Sequence, residues 1–326
     1  MDIINIYKKS KVLKNAFYII LNIFCLPFSI LHLSNFRFIR LIDSRIGHLS
    51  VNTEIFLKLY RNNKYRYIAI ASNNPCNNQL LKMYKQELKI IQIPSFIFNN
   101  YLFRALSSKS SILPYEELYY NSEEYYKVKE RTNIKFTEEE NRRAKEELKK
   151  MGVDSWFVCF SSRDKYYLKN DRYDFRNSDI NTYRKAMEYI ESQGGYAIRM
   201  GVKVEKGIKE SKGIIDYASK HRTDFMDIWL VANCKFFVGD TNGMICLAYI
   251  FDKYTVANNF IPMVGAFNPI NNKNITLPKK VFKGKKDITY INSLYSSEDY
   301  EKIKIIDNTP EEICYSVKIM LIETYK

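Results

Sequence analysis

Short extended runs alternate with helical periodicity through most of this chain, and that alternation restricts it to α/β folds built on parallel sheets, because a parallel pair needs a crossover helix between its strands. Phe36 and Phe38 alternate with Arg37 and Arg40 before Leu41-Ile42, which predicts a first strand over Phe36 to Ile42. Asp43-Ser44-Arg45-Ile46-Gly47-His48 reads as a tight loop, after which Leu49, Asn52, Ile55, Phe56 and Leu59 keep helical spacing. A second strand over Tyr65 to Ala71 ends at the turn Ser72-Asn73-Asn74-Pro75. A helix near Asn77 to Glu87 then leads to a strand over Leu88 to Ile93. Residues 94–135 show no clear period.

Thr137-Glu138-Glu139-Glu140 is a capping box, and the helix it opens runs through Ala144 and Leu148 to a stop at Gly152. A second alternating series follows. It comprises a strand over Ser155 to Phe160, a long polar loop, a helix near Asp179 to Ser192, a strand over Tyr196 to Met200 and a helix over Asp224 to Asn233. A strand over Lys235 to Val238, a helix after Asn242 and a strand over Tyr254 to Ala257 complete it. Thr309-Pro310-Glu311-Glu312 opens a last capped helix with Ile313, Val317 and Met320 on one face, expected to return to the first domain. At 326 residues the chain exceeds one comfortable core. The expectation is an α/β protein of two doubly wound Rossmann-like domains. A basic and apolar segment (1–35) precedes a first domain (36–136) and a second (137–305), with the helix 306–326 closing the chain.

A formal charge of +15 attracts phosphates in nucleotides, lipid head groups or nucleic acid. No Arg/Lys block with interleaved aromatics, helix-turn-helix pattern or zinc-finger spacing occurs, so nucleic acid is not an expected partner. The six cysteines are far apart, without a C-x-x-C pair, and several sit in apolar runs such as Phe157-Val158-Cys159-Phe160, which suits reduced buried thiols in a cytoplasmic protein. Lys8, Lys9, Lys11 and Lys14 precede an apolar stretch from Ala16 to Leu33 that Asn22 and Pro27 interrupt. That run is short for a spanning helix, and a peripheral position on the inner leaflet of the cytoplasmic membrane is the expectation, a buried helical hairpin the alternative.

Ligands of open parallel sheets bind beyond the carboxyl ends of the strands, which selects four loops. The first holds Arg45, Gly47 and His48, an anion partner and an imidazole beside a close backbone turn. The second holds Arg163 and Asp164, then Tyr173, Arg176 and Asn177: forks for phosphate, an aromatic for stacking, an amide edge. The third is Arg199-Met200-Gly201, where a cation at the end of a buried strand meets either an internal carboxylate or a ligand phosphate. The fourth is Gly239-Asp240-Thr241-Asn242-Gly243, in which glycines, a hydroxyl and the amides of a following helix make an anion site. Asp224 and Asp227 stand at another helix start, where they either contribute to the site or cap the helix. The chain has no P-loop, no G-x-G-x-x-G and no D-x-D triplet for holding a divalent metal against a diphosphate, so neither cofactor nor metal is expected.

At these residues the sequence resembles a family of glycosyltransferases encoded in bacterial surface-polysaccharide clusters. The shared segments are Arg45 to His48; Arg163-Asp164 with Tyr173, Arg176, Asn177, Ile180 and Tyr183; Ile198 to Gly201; Asp224 to Leu230; and Gly239 to Gly243. They fall in the same order over roughly residues 40 to 260. Ser162 departs from the family, where a His precedes the Arg-Asp pair. The resemblance implies a GT-B-like fold, a nucleotide-sugar donor on the second domain and a glycan or lipid-linked glycan acceptor on the first. On that reading His48 is the general base, with Arg45 beside it and Glu54 as a second candidate. Arg163, Asp164, Tyr173, Arg176, Asn177, Arg199, Met200, Gly201, Asp224, Asp240, Thr241, Asn242 and Gly243 bind the donor. The rivals are another nucleotide-dependent, polysaccharide-modifying enzyme and a non-catalytic membrane-associated scaffold.

Overall fold

Strands β1 (Phe36–Arg40), β2 (Arg66–Ser72) and β3 (Lys89–Ile93) pair in parallel in that order, which the crossover helices between them require. In this computed structural model the described residues are 36–60, 65–95, 134–166, 174–261, 274–290 and 303–325, besides Ala16, Ile19, Ile20 and Ile23. The chain divides between Ile134 and Lys135 into two compact units. In the first, one π-helical turn, His48–Asn52, leads into helix α1 (Thr53–Tyr60), and α2 (Asn78–Tyr84) links β2 to β3. Asn77 starts α2 by accepting from the Leu80 amide at 2.8 Å. Ile39, Leu41, Leu49, Phe56, Ala69, Leu80 and Tyr84 close the core between sheet and helices. Every strand here is added on one side of the last, so among the described residues the first unit lacks the reversal that defines double winding, contrary to expectation.

The second unit has that reversal. After α3 (Glu138–Lys150), β4 (Phe157–Ser161) begins a six-stranded parallel sheet of order β6-β5-β4-β7-β8-β9. Its remaining strands are β5 (Tyr196–Arg199), β6 (Ile214–Ile215), β7 (Phe237–Gly239), β8 (Thr255–Phe260) and β9 (Ile275–Pro278). Helices α4 (Arg184–Ser192), α5 (Tyr217–Lys220), α6 (Asp224–Asn233) and α7 (Gly243–Ile250) connect them. The chain runs outward from β4 through β5 to β6, then returns to β4's other side as β7, so the direction switches between β4 and β7. β4 is buried at every position, as a central strand covered on both faces must be. The reciprocal capping box of α3, Thr137 with Glu140, and the stop at Gly152, with φ of +76°, take the forms the sequence predicts.

Two further features depart from the reading of the sequence. A three-stranded antiparallel sheet of β10 (Lys280–Lys283), β11 (Lys286–Asp287) and β12 (Lys304–Ile306) follows β9, where no element was expected. The last helix, α8 (Pro310–Glu323), expected to return to the first domain, packs its apolar face within the second unit. Ile313, Val317, Met320 and Leu321 join Val158, Phe160, Met187, Val238 and Val256 in one core of the second unit, where the alternative would leave that sheet face bare. Residues 1–35 lie outside the described set apart from the four named, and among the described residues no helix is long and apolar enough to cross a membrane.

Candidate functional site

The strand order switches direction between β4 and β7, the position at which ligands of open parallel sheets bind, and the loops leaving the carboxyl ends of those two strands are tied to each other. Ser161 and Gly239 are opposite in register, and a β-carbon at Gly239 would lie 3.1 Å from the Ser161 carbonyl oxygen, so glycine permits this approach. Asp240, fully buried, accepts a 2.7 Å hydrogen bond from the Arg163 amide and one of 2.5 Å from the Ser178 hydroxyl at the same Oδ2. Its Oδ1 accepts from Asn242 Nδ2 at 2.7 Å. Burial pushes the Asp240 carboxyl up, while the donors from Ser178, Arg163 and Asn242 oppose that shift by favouring the charged form.

The rest of the loop after β4 folds onto this anchor. Arg163 Nε donates to Asn177 Oδ1 at 3.1 Å, and the Arg176 guanidinium donates to the Thr241 carbonyl at 3.0 Å. The Thr241 hydroxyl accepts from the Ile261 amide at 2.8 Å, and Asn242 caps α7 by accepting from the Met244 amide at 2.8 Å. Two arginines, a hydroxyl and the amino end of an apolar helix are therefore gathered within one hydrogen-bonded cluster, an arrangement whose positive charge and dipole suit an anion. Asn177 also gives its carbonyl to Lys279 Nζ at 2.6 Å, and Phe175 packs on Ile261, Val281 and Ile288 under the small sheet.

Other expected residues stand elsewhere. Arg199 is 2% exposed and donates to Asp216 Oδ1 at 3.0 Å, itself 1% exposed, so the internal carboxylate is its partner. Met200 is buried, its amide bonded to the Phe160 carbonyl at 2.7 Å, and Gly201 follows it at the sheet edge. Asp164 accepts from the amides of Tyr166 and Glu205, which makes it a loop brace. Asp224 pairs with Arg222 at 3.0 Å, while Thr223 supplies the cap of α6. Asp227 is buried between Arg222 at 2.8 Å and the Tyr217 hydroxyl at 2.9 Å, and burial pushes its carboxyl up to about 6. Tyr173 lies outside the described residues.

In the first unit the expected loop is shorter than the sequence suggests, because helical structure starts at Ile46. Gly47 has ordinary helical angles, φ −62° and ψ −42°, so no glycine-specific turn is made there. His48 is half-buried at the head of the π-helical turn and Arg45 is exposed ahead of it. Glu54 is buried and lies 3.9 Å from Lys58 within its own helix. Asn52, one turn beyond His48, is fully buried with hydrogen-bond partners for neither Nδ2 nor Oδ1. Such turns concentrate at functional positions, and a buried amide left so costs stability. Sequence reasoning missed Asn52, Ser178 and Lys279. The polar Asn52 at an apolar-face position of a helix was the one available signal.

No family model and no curated protein matches the chain. Among solved structures its fold is similar to that of E. coli ADP-heptose lipopolysaccharide heptosyltransferase II, with a TM-score of 0.53 at 10% identity over 89% of this chain and 100% of that one. It is likewise similar to glycosyl transferase family 9 from Veillonella parvula DSM 2008, with a TM-score of 0.54 at 12% identity over 88% of this chain and 97% of that one. At such identities the likeness shows a shared α/β fold with parallel sheets.

Proposed function

We propose that this chain is a glycosyltransferase of GT-B-like architecture that moves a sugar from a nucleotide-sugar donor to a growing bacterial surface glycan. The observation that carries the reading is the cluster at the β4–β7 switch, where Asp240 ties the Arg163 loop to the amino end of α7. The two solved structures named above are glycosyltransferases by name, one of them an ADP-heptose lipopolysaccharide heptosyltransferase, which supports the same substrate class here.

In this mechanism the second unit holds the donor. As the glycosidic bond to the nucleotide breaks, negative charge grows on the departing diphosphate, and the guanidinium groups of Arg163 and Arg176 with the helix end of α7 balance it. The reaction then proceeds without a metal, as the lack of a D-x-D triplet and this set of positive groups favour. His48 of the first unit takes the proton of the acceptor hydroxyl, for which an imidazole with a reference pKa of about 6.5 is suited. Arg199 is left out of the donor site because Asp216 already neutralises it. A peripheral position on the inner membrane face, supported by the four lysines before Ala16, keeps the enzyme near lipid-linked acceptors.

A thermal-shift screen over nucleoside mono- and diphosphates, followed by a panel of nucleotide sugars with radiolabelled transfer as readout, tests the reading. A nucleoside diphosphate raising Tm, with transfer from its sugar conjugate, is the expected result. Binding with no transfer from any donor would instead indicate a different nucleotide-dependent activity, and no nucleotide binding at all would remove the enzyme reading.

A further inference from the structure

Lys279 joins β9 to β10 with its side chain 3% exposed, and a lysine is almost never buried so far unless its ammonium is paired. Its Nζ donates to the Asn177 carbonyl at 2.6 Å and pairs with Asp307 Oδ1 at 2.7 Å. The backbone that carries it is fixed by a bulge in the neighbouring strand. In β8, Asn258 pairs with Leu277 and Phe260 with Pro278, so Asn259 is the extra residue, and it takes a left-handed φ of +52°. Asn308 holds that conformation reciprocally. The Asn259 amide donates to Asn308 Oδ1 at 2.5 Å, and the Asn308 amide donates to Asn259 Oδ1 at 2.6 Å. Asn308 Nδ2 also donates to the Pro278 carbonyl at 2.8 Å, and the Lys279 amide donates to the Phe260 carbonyl at 3.2 Å. The bulge thus sets the register from which the Lys279 side chain enters the interior.

Stability alone does not account for a lysine in this place. An apolar side chain of similar length often serves a fold as well as a buried ion pair does, and Asp307, 43% exposed, would return to water if the ammonium were removed. What the ammonium holds is the loop after β4. Asn177, whose carbonyl it grips, accepts from Arg163 Nε through its own side chain at 3.1 Å. One residue therefore links the buried lysine to the arginine. The Lys279 charge also reaches the anchor of that loop. Burial pushes the Asp240 carboxyl up, and behind the donors from Ser178, Arg163 and Asn242 the Lys279 charge opposes that push. Asp240 in turn fixes the Arg163 amide.

We propose that Lys279 is a positioning residue of the anion site, acting through Asn177 to aim the Arg163 guanidinium. It does not touch the ligand. The anion is the nucleotide diphosphate of the reading above, on which this inference rests for its ligand. Lys279 and Asn177 are 102 positions apart, so the arginine loop takes its form only once the β8 bulge and the segment before α8 have set the lysine.

The test compares the full-length native chain with Lys279→Met, Arg163→Ala and the double variant. It reads Tm, hydrogen exchange at the Arg163 and Ser178 amides, and calorimetric Kd for nucleoside diphosphates. Both amides bond within the loop, to Asp240 and to the Arg163 carbonyl at 3.2 Å, so they report its hold. Lys279→Met is expected to keep a Tm close to native while the two amides exchange about tenfold faster. Its Kd should rise about tenfold with Arg163 present, but by no more than about twofold once Arg163 is gone, as for residues of one network. Native exchange rates in Lys279→Met overturn the proposal. Kd losses that add in full in the double variant overturn it too, because Lys279 would then act independently of Arg163. Exchange needs no ligand, so a native chain that binds no nucleoside diphosphate removes the donor reading, while the exchange rates still decide whether Lys279 holds the loop. Lys279→Gln, neutral, polar and one bond shorter, is the second variant if methionine prevents folding, and the same losses are expected of it.

Discussion

Asp240 Oδ2 lies 2.7 Å from the backbone nitrogen of Arg163, although the two residues are 77 positions apart in the chain. A carboxylate that accepts at once from Arg163 and Ser178 fixes the loops leaving β4 and β7 as one body. Asp240→Ala removes both acceptors and leaves buried donors behind. The expected outcome is a loss of about 3 kcal/mol or more in urea unfolding, since hydrogen bonds to charged groups contribute about 1.5–3 kcal/mol each, together with loss of nucleotide binding by calorimetry. Retained affinity in a destabilised protein would detach this anchor from the binding site.

Arg163→Ala and Arg176→Ala separate ligand binding from stability. Each removes one bond to a neighbouring polar group, to Asn177 or to Thr241, and one charge that the proposed mechanism assigns to the diphosphate. The Kd for the preferred nucleoside diphosphate should rise roughly 10- to 100-fold for each, the equivalent of one charge-assisted hydrogen bond. A Kd unchanged in both variants contradicts the phosphate assignment.

Arg199→Ala should behave in the opposite way. Leaving Asp216 charged and unpaired in the core costs about 3–5 kcal/mol, while the nucleotide affinity of the folded protein stays within a factor of about two. Equilibrium unfolding and calorimetry on the same preparation read both quantities.

His48→Ala is expected to lower kcat by about 10²–10⁴ and leave donor Kd unchanged, the signature of a lost general base. Steady-state transfer beside calorimetry decides this, and an unaltered kcat removes the role.

Asn52→Leu is expected to stabilise the protein by about 1–3 kcal/mol, because it replaces an amide buried without partners by an apolar group of similar size. The readout is Tm, and a fall in Tm would show that the amide is satisfied in solution.

Asp227 supplies a pH signature. Its folded carboxyl titrates near 6, above the ordinary range near 3.8, because burial outweighs the ion pair with Arg222. Between about pH 4 and 6 the folded state retains a proton that the unfolded chain has released, so stability falls as pH rises through that window, by up to about 3 kcal/mol in all. Asp227→Asn should flatten this slope, and urea melts of both proteins at pH 4, 5, 6 and 7 measure the difference.

What the sequence made legible was local. Capping boxes at Thr137 and Thr309 are written within four residues, and the alternation around β4, β5 and β7 survives because buried central strands need continuous apolar runs. The four loops followed from strand ends, and two of them do meet. What escaped depended on long-range pairing. Nothing near Arg199 announces Asp216, whose loop folds back 17 residues later, and nothing near Asn177 announces Lys279. The small sheet escaped for another reason: strands of two to four residues among lysines carry no readable apolar alternation. Gly47 misled because a glycine permits a special turn without requiring one.

The placement of α8 bears on how the protein is made. Its Ile313, Val317 and Met320 complete the layer over β4, β7 and β8, so the second unit's core lacks one wall until the ribosome has delivered them. At about 5–20 residues per second, translation from Lys135 to Leu321 takes roughly 10 to 40 s. During that interval the apolar face of the nascent sheet stays uncovered, and a premature stop after Asp307 would leave it so for good.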